Sequence, residues 1–101
     1  MDQEYLKDCM CEELDGAKEY IQRAIEIKAM DASWGKRFYE MSTQELNNAQ
    51  YFFDMSKDYY EKVTSAFKEP PEYMEDCMDE TVRIFTERYA QIKIMQGMYN
   101  N

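Results

Sequence analysis

The two prolines of this chain stand side by side at Pro70-Pro71, and only three glycines are scattered through its 101 residues. Proline lacks the amide donor a helix needs and pushes the residue before it toward extended backbone. Lys68-Glu69-Pro70-Pro71 therefore ends any helix that reaches it. A second, softer break lies at Met30-Asp31-Ala32-Ser33, where Asp and Ser side chains can accept hydrogen bonds from the first free amides of a new helix. The spacing predicts three helices: from about Glu4 to Ala29, from Ala32 or Ser33 to Phe67, and from about Glu72 to Tyr99. Two short connections between three long helices make the expected fold all-α, an antiparallel up-down-up bundle. A chain of 101 residues holds one such domain, residues 1–101, with no linker or repeat to divide it.

Apolar spacing supports this division. On the first helix Leu6, Met10, Glu13, Ala17, Tyr20, Ala24 and Ile27 alternate by four and three, the pattern of one face turned to a neighbour. Glu13 is its one charged member. On the second helix the same alternation gives Trp34, Phe38, Met41, Glu45, Asn48, Phe52, Met55 and Tyr59, with Glu45 and Asn48 as polar exceptions. A further column on that helix, Tyr39, Leu46, Phe53, Tyr60 and Phe67, repeats every seven residues. Either it faces the third helix, as a middle helix with two neighbours requires, or it offers a surface to another chain. The third helix spreads its apolar residues over a wide arc, with Ile84, Ile94 and Met98 well off the side of Met78, Phe85 and Ile92. Such surplus apolar area fits a bundle completed by oligomerisation or by a protein partner.

Reflection through the two breaks brings the polar exceptions to a similar height. Glu13 falls opposite Asn48, and Asn48 falls opposite Gln91, with Glu87 about one turn away. A buried carboxylate needs a cation, a hydrogen-bond partner or a proton. The cluster Glu13, Glu45, Asn48 and Glu87 is thus either a metal site or a hydrogen-bonded layer in which Asn48, Gln91 or Arg88 serves the carboxylates.

Glu13-Leu14-Asp15-Gly16-Ala17-Lys18-Glu19-Tyr20 and Phe38-Tyr39-Glu40-Met41-Ser42, leading into Glu45-Leu46-Asn47-Asn48, resemble the first two helices of small rubrerythrin-type, ferritin-like proteins. Glu69-Pro70-Pro71 and the stretch from Gln91 to Tyr99 are similar to short ferritin-like proteins of bacteriophages and prophages. The resemblance implies a ferritin-like bundle in which Glu13, Glu45 and Asn48 hold the metal-ligand positions and Glu87 matches an acidic residue of the third helix. It implies iron or manganese as the metal and a virion-associated or accessory role. In that family the second helix carries Glu-x-x-His, whereas this chain has Asn48 at the histidine position and no histidine anywhere. A neutral amide oxygen is a weak ligand, so the expectation is a degenerate site, no resident cofactor and no ferroxidase or peroxidase activity. Carboxylate binding of iron, manganese or calcium without histidine is the alternative.

Other classes are disfavoured by chemistry. A net charge of -9 opposes direct contact with nucleic acid or anionic membranes, whose affinity comes from Lys and Arg. No His can activate a Ser or Cys nucleophile, and no glycine-rich phosphate loop is present. The acidic start Met1-Asp2-Gln3-Glu4 is unlike a signal peptide, and no apolar run is long enough to span a bilayer, so a cytoplasmic setting is expected. Cys9, Cys11 and Cys77 are an odd number of thiols and are expected to stay reduced. The functional expectation is a noncatalytic helical bundle acting by self-association or by docking onto another protein.

Overall fold

The structure, a computed structural model, describes residues 2–101 as three helices, with no strand among them. Helix α1 spans Gln3–Ile27, α2 spans Ala32–Phe67 and α3 spans Glu72–Tyr99. Asp2 caps α1 by accepting from the Tyr5 amide at 2.8 Å, and Asp31 caps α2 by accepting from the Trp34 amide at 3.0 Å. These carboxylates also complement the positive end of each helix dipole. At the third start the Pro71 carbonyl accepts from the amides of Met74 and Glu75, so a backbone group does what a side chain does elsewhere. Lys68, just past α2, adopts a positive φ of 67° to turn the chain toward the prolines.

The contacts show how the helices lie along one another. Between α1 and α2, Tyr20 meets Phe38 with ring centroids 6.2 Å apart, and Ser42 Oγ donates to the Ala17 carbonyl at 2.7 Å, so numbers rise on one helix as they fall on the other. Between α2 and α3, Tyr39 stacks on Tyr99 at 4.7 Å and Phe53 on Phe85 at 4.2 Å. Between α1 and α3 the numbers rise together: Cys77 reaches Glu4, Lys7 reaches Glu80, and Arg88 pairs with Asp15. The whole is elongated, 56 × 20 × 15 Å, close to the length of the 36-residue α2 at about 1.5 Å per residue.

Close packing of α1 on α2 depends on small side chains. The residues of α2 buried against its neighbours are Gly35, Ser42, Leu46, Ala49 and Ser56, four of which recur every seven residues. A Cβ at Gly35 would come within 3.1 Å of the Lys28 backbone, so even alanine fits there only if Lys28 moves back by a few tenths of an ångström. Larger residues come from the other side: Leu6, Met10, Leu14 and Ile21 of α1 are buried, and Met78, Phe85 and Ile92 of α3 join them. The second-helix seam expected from hydrophobicity is therefore displaced. Trp34, Met41 and Met55 are exposed by 42–55%, while the small-residue stripe beside them is the buried one. The expected seam on α1 holds better, with Leu6, Met10, Ala17 and Ala24 buried and Leu14 and Ile21 widening it toward α3.

Of the two readings of the column Tyr39, Leu46, Phe53 and Tyr60, the one that turns it toward the third helix fits three positions, and these three are not a surface for another chain. Leu46 is buried in the core, and Tyr39 and Phe53 are covered by aromatic rings of α3, while Tyr60 is half-buried. This column is how the middle helix meets its second neighbour.

Two serines on the small-residue stripe should respond oppositely to substitution. Ser42 Oγ both donates to Ala17 and accepts from Gln96 Nε2 at 3.1 Å, whereas the fully buried Ser56 hydroxyl has no partner. Ser42→Ala strands the Gln96 amide and is expected to cost about 1–3 kcal/mol, while Ser56→Ala is expected to be neutral or to stabilise by up to about 1 kcal/mol. Urea unfolding followed by circular dichroism measures both; an equal loss in the two variants would contradict this account.

Candidate functional site

Glu13 and Glu45 face one another across the α1/α2 interface. Glu13 lies one turn before Ala17, the residue whose carbonyl receives Ser42, and Glu45 lies one turn after Ser42, so the packing that joins those two also brings the carboxyl groups together. Gly16 makes room for them: a Cβ there would sit 2.9 Å from Glu45 Oε2. One oxygen of Glu13, Oε2, is buried and has no nitrogen or hydroxyl donor in reach.

Two carboxylates this close cannot both carry full charge in a partly desolvated place. The hydrogen bond to Glu13 is the main cause, with burial and the Glu13 charge adding to it, and together they push the pKa of Glu45 up from 4.5 to about 7. Near neutral pH Glu45 still carries its proton about half the time, and the protonated carboxyl donates to Glu13, whose oxygen accepts. Such a pair can hold and release a proton in the physiological range, or exchange it for a cation.

The other expected members of the layer lie elsewhere. Asn48 is half-buried, and its side-chain oxygen accepts from Gln44 Nε2 at 3.3 Å on the same helix. Glu87 points outward and pairs with Arg83 at 3.6 Å. Gln91 is exposed, and Arg88 is taken by Asp15. Among the described residues no group of three or more His, Cys, Asp or Glu side chains converges on a point where one metal ion could sit. The expected four-residue cluster is thus reduced to a pair, because Asn48 and Glu87 lie off the faces that meet.

The thiols do not enlarge the site. Cys9, Cys11 and Cys77 are free. Cys77 donates to Glu4 at 3.5 Å, about one and a half turns from the level of Cys9. Burial raises the pKa of Cys11 and of Cys77, which keeps both as thiols rather than metal-binding thiolates.

Beside the carboxyl pair runs an open apolar face. Trp34, Met41, Asn48 and Met55 form a column two residues out of step with the α3-facing column of Tyr39, Leu46 and Phe53. Two residues turn a helix by about 200°, so this column lies on the far side of α2 from α3. Trp34, Arg37, Phe38 and Met41 enclose a shallow hollow of about 220 Å³ on it. On α1 the half-buried Tyr20 borders the same face through its contact with Phe38. Hydrophobicity alone marked these residues as core, and only their exposure reveals them as surface. No helix among the described residues is long and apolar enough to cross a membrane. Compared with models of protein families, with curated proteins and with solved structures, the chain has no match.

The shared proton makes stability depend on pH in a defined direction. Folding raises the pKa of Glu45, so the folded state binds the proton more tightly than the unfolded chain does. The contribution is complete below pH 4.5 and is lost as pH rises through about 7. Allowing for solvent screening, it amounts to roughly 1–2 kcal/mol. Glu45→Gln should flatten the fall in melting temperature between pH 5 and 8, and Glu13→Gln should return the Glu45 titration, followed by carboxyl-carbon NMR, toward its ordinary range. A Glu45 that titrates near 4.5 in the unaltered protein would refute proton sharing.

Proposed function

We propose that this chain is a noncatalytic, ferritin-like, up-down-up antiparallel bundle that works by docking a helix of another protein on its open α1/α2 face. The observation that carries this reading is the exposed column of Trp34, Met41 and Met55 running past the Glu13–Glu45 pair. An apolar stripe of this kind fits the apolar face of an amphipathic helix, with anchors spaced by three and four residues. Charge selects the occupant. The chain carries a net charge of -9, and its carboxyl pair sits within the face, so a partner helix bearing Lys or Arg gains attraction where a second copy would meet repulsion. A phage-encoded or virion-associated accessory role agrees with the sequence resemblance, and self-association is the competing form of the same idea.

The second reading is ferritin-like binding of iron, manganese or calcium through carboxylates. It draws on the Glu13–Glu45 pair, which could trade its shared proton for a divalent cation. The donors gathered there fall short of the four residues that reading needs, since Asn48 and Glu87 are turned to other partners. We therefore place it second and assign no step to a metal.

Trp34 is the sole tryptophan of the chain and lies on the proposed face, so its fluorescence reports occupancy directly. A synthetic amphipathic helix of Leu and Lys should shift the emission to the blue in a saturable manner, and a Leu and Glu helix of equal length should not. Met41→Lys should weaken the response at least tenfold while leaving the circular dichroism unchanged. Light scattering across a hundredfold range of protein concentration separates the alternatives: a dimer that forms without peptide and is broken by Met41→Lys would replace the partner with a second copy. Stoichiometric manganese binding abolished by Glu13→Gln and Glu45→Gln would favour the metal reading instead.

A further inference from the structure

The seven-residue stripe that α1 covers on α2 does not stop where α1 stops. Gly35, Ser42, Ala49 and Ser56 are followed at the same spacing by Val63. The bond from Ser42 to the Ala17 carbonyl fixes the level at which α1 runs out: fourteen residues along α2 from Ser42 is Ser56, and fourteen back along α1 from Ala17 is Gln3, where that helix begins. The eleven residues from Lys57 to Phe67 therefore run past α1, over about 16 Å or three helical turns. Along this stretch α2 and the start of α3 form a hairpin without the third helix that packs against both of them elsewhere.

The open position has an apolar floor and an acidic rim. Tyr59, Val63 and Phe67, spaced by four on α2, and Tyr73 of α3 line a shallow groove of about 530 Å³ that ends at Pro70 and Pro71. Phe67 and Tyr73 are each 72% exposed, and Val63 is half-buried. From Glu69 to Glu80 the chain carries six acidic residues and no Lys or Arg. Of these only Glu80 reaches a cation, Lys7, so Glu69, Glu72, Glu75 and Asp76 have no ion pair among the described residues. On the α2 side Lys62 is already held by Asp58 at 2.7 Å.

We propose that this groove takes a short basic amphipathic helix of another protein, lying in line with α1 and completing the three-helix packing over the end of α2. Its apolar residues, spaced by three and four, seat between Val63 and Phe67 on one side and Tyr73 on the other. Its Lys and Arg face Glu69, Glu72 and Asp76, which no cation of this chain neutralises. A second copy is the poorer occupant, because it brings the same run of uncompensated carboxylates to the contact. The groove lies about 40 Å along α2 from Trp34 and shares no residue with the open α1/α2 face, so it stands apart from the docking proposed there.

Two-dimensional NMR of the full chain carrying Met41→Lys, which blocks the open α1/α2 face, tests the proposal with a capped Leu and Lys helix of about twelve residues, the length of the groove. Saturable shifts at Val63, Phe67 and Tyr73 are expected. A Leu and Glu helix of equal length should bind at least tenfold more weakly. Phe67→Ala combined with Tyr73→Ala, at two exposed positions where circular dichroism should not change, should cut affinity at least tenfold. Glu69→Gln, Glu72→Gln and Asp76→Asn together should cut it severalfold at low salt. Shifts spread over the acidic surface with none at Val63 or Phe67, equal binding of the Leu and Glu helix, or affinity unchanged in the Phe67→Ala and Tyr73→Ala variant would each overturn the assignment. A dimer that forms without peptide and is broken by Phe67→Ala would also overturn it, by giving the groove to a second copy. Trp34 emission in the unaltered protein reads the other face, so a silent Trp34 leaves this proposal standing, and unmoved Val63, Phe67 and Tyr73 signals leave that one.

Discussion

The close approach of α1 to α2 is the constraint on which the rest of the structure depends. It is possible because α2 presents Gly35, Ser42, Ala49 and Ser56 at every seventh position, all buried, to the larger side chains of α1. Where two helices come this near, each side chain on the contact line must be small or must leave it. Ser42 turns that closeness into a directional bond by donating to the Ala17 carbonyl and accepting from Gln96, so one hydroxyl ties all three helices. Its neighbours on α2 inherit their roles from this placement. Leu46 goes inward, Tyr39 and Phe53 turn to α3, and Trp34 and Met41 are left outside.

The carboxyl pair follows from the same geometry. Glu13 and Glu45 sit one turn to either side of the Ala17–Ser42 bond on their own helices, and Gly16 leaves space for the Glu45 head group. Neither is deep enough to forbid charge, and neither is wet enough to ignore the other. The result is a Glu45 carboxyl that keeps its proton up to about pH 7 because a second acid accepts from it. Elsewhere the acidic surface is dispersed into ordinary exposed pairs, such as Asp58 with Lys62 and Glu87 with Arg83, which contribute little to stability.

Much of this was legible from residues within a turn or two of one another. Pro70-Pro71 and Asp31 mark the breaks, and the ends of α2 and α3 fall where those signals put them. The first helix stops at Ile27 rather than Ala29, since Lys28, Ala29 and Met30 are used in the turn itself. The site was half legible. Glu13 and Glu45 were singled out as polar residues in apolar columns, and they do meet, but Asn48 and Glu87 were joined to them by height alone. Equal height does not bring two side chains together unless both also face the same gap, and Glu87 faces Arg83 and solvent.

The sequence by itself determined three helices, the limits of the second and third, their acidity and the presence of carboxylates among apolar neighbours. Those are consequences of backbone chemistry and local spacing, which act within a few residues. Only the tertiary structure decided which stripe of α2 lies inward, because apolarity favours Trp34 and Met41 while the interhelical distance admits only Gly35, Ser42 and Ala49. It also decided that Gln3, an ordinary polar residue in the chain, is buried with an acceptor that meets no donor. Burial depends on what other helices place around a residue, and no local rule carries that information.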